Sequence, residues 1–92
     1  RYFIAVQRRI LDNWALPKTQ DWDNTLESIM VIFIEKNGVI SKTIFEKKST
    51  NAYFNQYVKK TIQAASPMPP IPSALKMNTL EIGLRFRPSG LF

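Results

Sequence analysis

Seven carboxylates, eight lysines, five arginines and a scatter of hydroxyls are the side chains of this 92-residue chain that could do chemistry; it has no cysteine and no histidine. Without thiols there is no disulfide framework and no thiolate metal site. Without imidazole the usual general base and the commonest metal ligand are missing. Asp21 and Asp23 flank Trp22 and are the nearest thing to an acid/base pair. No nucleophile or metal-ligand cluster accompanies them, and residues 17–24 are polar and turn-like, so turn chemistry explains them better. No cofactor and no metal are expected, and the chain does not read as an enzyme.

The formal charge of +6 raises a different chemistry. Nucleic-acid binding needs a concentrated basic patch with interleaved aromatics. The nearest candidate is Lys47-Lys48 followed by Tyr53, Phe54, Tyr57, Lys59 and Lys60. In it Phe54 reads as core, while Tyr53 and Tyr57 are open to either role. Lys42, Lys47, Lys48, Lys59, Lys60 and Lys76 are spread over several segments. A lysine-rich solvated surface is therefore the preferred reading, and a small basic nucleic-acid-binding domain is the alternative.

The elements that must position these groups follow from periodicity. At 45% hydrophobic and 22% charged residues the chain is globular, and its length allows one domain, residues 1–92. Tyr2, Val6, Ile10 and Trp14 recur every four residues, predicting an amphipathic helix over 2–16 that ends before Pro17. Trp22 is expected to pack over a core edge, with an exposed binding role as the alternative. Residues 26–35 contain the unbroken apolar run Ile29 to Ile34, read as a strand buried on both faces. Asn37-Gly38 signals a hairpin, because both residues tolerate positive φ. The return strand, 39–47, is more polar and belongs nearer the sheet edge. A second helix over 51/52–65 presents Phe54, Val58, Ile62 and Ala65, behind an N-cap among Ser49, Thr50 and Asn51. The proline-rich 66–72 is extended and straps a helix to the sheet; an SH3-like ligand is the other reading. In 79–87, Leu80, Ile82, Leu84 and Phe86 alternate with Glu81, Gly83, Arg85 and Arg87, a strand with one buried face. The predicted fold is α+β, a three-stranded antiparallel sheet with two helices on one face, in the order helix-strand-strand-helix-strand. The apolar first strand is central, which leaves the last strand on an open edge.

In this order of elements the sequence resembles the C-terminal domains of the TolA and TonB family of envelope energy-transducing proteins. The spacing Tyr2, Val6, Ile10, Trp14, Pro17 carries the resemblance, with the Asn-Gly hairpin, the exit Ala64-Ala65-Ser66-Pro67-Met68-Pro69-Pro70 and the closing Leu80 to Pro88. The first helix leans toward TolA-like members. Thr50 and Asn55 stand where many members have a glycine and an aspartate. The resemblance implies a periplasmic domain of an inner-membrane-anchored Gram-negative protein. It would be pulled by a proton-driven motor complex, bind extended segments of periplasmic or outer-membrane proteins, and be open to hijacking by phage or bacteriocins. The chain begins at Arg1 and not at methionine, which reads as a cut-out domain or a processed product, and the resemblance implies that an N-terminal membrane anchor and a stalk precede it.

The physical basis of such binding is an edge strand, whose unpaired N–H and C=O groups accept an added strand. The expected partner-binding residues are Leu80, Glu81, Ile82, Gly83, Leu84, Arg85, Phe86 and Arg87. Arg85 and Arg87 would steer an acidic segment. Gly83 either leaves room for close approach or marks a bulge.

Overall fold

A computed structural model of the chain describes residues 1–18 and 21–91; Thr19 and Gln20, within the predicted turn segment, and Phe92 lie outside the described residues. Helix α1 is Tyr2–Asn13, strand β1 Ser28–Glu35, β2 Ile40–Lys47, helix α2 Ala52–Ala65, β3 Thr79–Arg87 and β4 Gly90–Leu91, with a short 3₁₀ turn at Ser73–Leu75. The α+β class and the two helices are as predicted. The sheet is not: it has four strands, in the antiparallel order β2-β1-β3-β4. The added strand arises because Pro88 and Ser89 turn the chain back, and Gly90, at φ +145, lets it pair with β3.

α1 stops three residues short of its predicted end. Trp14 leaves helical angles at φ −85 and ψ 107, and its ring turns onto Phe54 and Phe86. α2 is capped as predicted: the Asn51 side chain accepts hydrogen bonds from the N–H groups of Tyr53 and Phe54. The hairpin loop is Lys36-Asn37-Gly38, closed by Glu35 N–H to the Val39 carbonyl and Gly38 N–H to the Glu35 carbonyl. Only Gly38 has positive φ, so the loop is a three-residue one and not the two-residue turn that Asn-Gly suggests.

β1 alternates where burial on both faces was expected. Ser28, Met30, Ile32 and Ile34 are buried, whereas Ile29, Val31, Phe33 and Glu35 are only half-buried. Helices cover one face of the sheet and leave the other without a second layer. The core joins Val6 and Ile10 of α1, Phe54, Val58 and Ile62 of α2, the inner residues of β1, and Ile82, Leu84 and Phe86 of β3. Each such side chain contributes about 1.5–3 kcal/mol on leaving water.

The proline-rich segment is a strap, as predicted. Met68 and Ile71 are buried in the core. Their N–H groups donate to the carbonyls of Gly38 and Lys36, which ties the strap to the hairpin loop. The Tyr2 hydroxyl donates to the Pro69 carbonyl at 2.7 Å and Arg9 to the Pro67 carbonyl at 2.9 Å, which ties it to α1.

Candidate functional site

β3 is held against β1 in an unbroken register from Ser28↔Phe86 to Glu35↔Thr79. Its alternation does what the sequence requires. Ile82, Leu84 and Phe86 are buried under the helices and Leu80 is half-buried, while Thr79, Glu81, Gly83, Arg85 and Arg87 are exposed on the uncovered face. The continuous register removes the bulge reading of Gly83. The bulges lie instead between β1 and β2, at Ile29/Met30 and Phe33/Ile34. A side chain at Gly83 would meet nothing within 4 Å, so a dent opens there beside its cross-strand neighbour Val31.

The expected open edge is partly closed. β4 pairs Leu91 with Phe86 and Gly90 with Arg87. Among the described residues, only 79–85 of β3 lack a partner strand on their outer side. Arg9 reaches the strap that follows α2, so the flank of α1 carrying Phe3, Gln7 and Leu11 points away from α2. α1 lies against β4 and α2 against β1. Phe3 and Leu11 are 45% and 44% exposed on that flank, too large a share for core residues.

The charges are arranged differently from the expectation. Glu27, just before β1, gathers three cations: Lys47 Nζ at 3.0 Å, Arg87 Nη2 at 2.9 Å and Arg85 Nε at 3.5 Å. Its side chain is only 15% exposed. Hydrogen bonds from Lys47 and Arg87 hold its carboxyl below the usual glutamate range. Arg85 and Arg87 are thus oriented along the sheet and already share one carboxylate, which leaves the cluster net positive. Sequence reasoning missed Glu27, because its partners lie on two other strands.

The competing sites do not assemble. Asp23 accepts from the Thr25 N–H and hydroxyl, an ordinary turn, and the backbone bond lowers its pKa. Trp22 packs on Phe54 and Tyr57 and donates Nε1–H to the Pro17 carbonyl. Phe54 is fully buried and Tyr57 packs on Trp22, so the predicted run loses its central aromatic; Tyr53 is 67% exposed and Lys60 lies 5.6 Å over the Tyr57 ring, so part of the run remains at the surface. Among the described residues no group of carboxylates could hold a metal ion, and no helix is long and apolar enough to cross a membrane.

Compared with protein families, residues 1–86 match the model described as TonB C terminal. No curated protein and no solved structure matches the chain.

Proposed function

The chain belongs to the TonB C-terminal family, and from that premise we propose that it takes up extended peptide segments along the outer side of β3. Domains of this family are non-enzymatic interaction domains of the Gram-negative periplasm. The observation that supports the reading is the unpaired stretch 79–85 at the edge of the sheet. A partner strand there gains backbone hydrogen bonds with little demand on its sequence. Its side chains on the helix side would meet Phe3 and Leu11, and those on the other side would meet Glu81, Gly83 and Arg85. The partners are segments of outer-membrane or periplasmic proteins. The link to an inner-membrane motor, and the narrower TolA-like placement, are parts of this proposal; the latter rests on the α1 spacing, while the matching family model is the TonB one.

Titrating the isotope-labelled domain with a peptide from an outer-membrane partner tests it. Amides of 79–85 should shift, and Phe3→Asp should weaken binding at least about threefold by removing this apolar contact. Shifts confined to α2, around Tyr57, Lys59 and Lys60, would refute the β3 site.

A further inference from the structure

On the uncovered face of the sheet the edge strand presents a short pattern of side chains. Glu81, Gly83 and Arg85 stand two residues apart on β3 and are exposed on that face. In the register with β1 they lie beside Phe33, Val31 and Ile29. Gly83 brings no side chain, and a Cβ there would meet nothing within 4 Å. On its β3 side Val31 therefore faces bare backbone. A residue of an added strand opposite Gly83 would hold its Cβ on the same face, about 5 Å away. An aromatic ring at that position is long enough to cross the glycine and lie on Val31, the way aromatic side chains compensate glycines in edge strands.

The charges on the two sides of this dent are opposite. Toward Arg85 the face holds Glu27 with Lys47, Arg85 and Arg87, one carboxylate among three cations. Toward Glu81 the strands present Glu35, Glu81 and Lys42, two carboxylates to one cation. Lys42 lies across β1 from Glu81, its ammonium 5.6 Å from the centre of the Phe33 ring. Glu35 accepts hydrogen bonds from the hydroxyls of Ser41 and Thr79. Among the described residues Glu81 has no ion-pair partner. Opposite charges directly across a strand pair stabilise it and like charges destabilise it. Resting on the β3 docking proposal above, we propose that this edge selects among extended segments by side chain: it favours an aromatic residue opposite Gly83, an acid opposite Arg85 and a base opposite Glu81.

The probe is a blocked peptide spanning the unpaired stretch 79–85, Glu-Val-Tyr-Val-Lys-Val-Thr, ordered for antiparallel pairing, the direction of every strand pair in this sheet. Three comparison peptides carry alanine in place of the tyrosine, glutamate in place of the lysine, or lysine in place of the glutamate. Each is titrated into the labelled domain in low salt. The first peptide should bind about twofold to fivefold more tightly than each of the others, the range of one cross-strand pair. It should also shift the Val31 methyl resonances, which the alanine peptide leaves in place. Glu81→Lys should reverse the charge preference, so that the peptide with two glutamates becomes the tighter one. Gly83→Val should abolish the Val31 methyl shift, while thermal denaturation shows the variant still folded. Equal affinity for all four peptides, with shifts at 79–85, overturns the selection and leaves the β3 docking proposal standing. Failure of every peptide to shift 79–85 at millimolar concentration overturns both.

Discussion

At the scale of single residues, Glu27 and the two glycines at Gly38 and Gly83 make sharply different demands. Glu27 compensates three cations brought together from β2 and β3. Its pKa is depressed in the folded state, so the stability it provides is present above the ordinary glutamate pKa and is lost as pH falls through the folded value. Glu27→Gln should lower the melting temperature at neutral pH. It should also flatten the decline in stability on acidification below the ordinary glutamate pKa, relative to the native chain in a series of thermal melts. Gly38 has φ +93, and a side chain there would run into the Met68 carbonyl of the strap. Gly38→Ala should therefore cost at least about 2 kcal/mol in urea unfolding, from strain together with the lost strap contact. Gly83 is extended in open space, and Gly83→Ala should leave stability unchanged or raise it by up to about 0.5 kcal/mol. Equal costs at the two glycines would contradict the placement of the strap.

At the scale of elements, β4 sets how much of β3 the proposed partner strand would find unpaired. It covers Phe86 and Arg87, and Leu91 packs partly against the core. Removing residues 90–92 should lower stability by about 1 kcal/mol, while extending the peptide-induced amide shifts from Arg85 to Phe86 and Arg87. The strap makes a second testable tie. Burial raises the Tyr2 pKa, and its hydroxyl donates to Pro69. The protonated form is favoured in the fold, so its contribution is present below the ordinary tyrosine pKa and is lost as pH rises through the folded value. Tyr2→Phe should cost about 1 kcal/mol at neutral pH and remove this part of the alkaline loss of stability. The strong periods in 2–13, 52–65 and 79–87 were legible because each helix or strand buries one face for its whole length. β4 was not, because two residues have no period. The one-sided burial of β1 was hidden for another reason: its outer residues, Ile29, Val31 and Phe33, are as apolar as its inner ones. The Glu27 cluster was illegible because its geometry comes from pairing between strands distant in the sequence.

At the scale of the whole molecule, the end of α1, through Trp14, and the loop before β1, through Trp22, meet on Phe54 of α2. It is fully buried, its ring centroid lies 5.6 Å from Trp14 and 6.1 Å from Trp22, and Trp14 continues to Phe86 on β3. A domain of this size has a net stability of about 5–14 kcal/mol. Truncating a buried phenylalanine to alanine costs about 3–5 kcal/mol through lost burial and the cavity left behind. Phe54→Ala should therefore take most of the margin from a weakly stable fold of this kind, and Phe54→Leu distinctly less. Because both tryptophans touch the same ring, their fluorescence reports on the junction of α1, α2 and β3, while far-UV circular dichroism reports on the backbone everywhere. In the native chain the two signals should fall together along one urea transition, as expected for a single cooperative core. If fluorescence fell well before dichroism, the Trp14–Phe54–Trp22 cluster would be a local feature and not the centre of the fold. The proposed docking edge on β3 needs the cooperative result, since the inner face of that strand is held to the helices through Trp14 and Phe86 of this cluster.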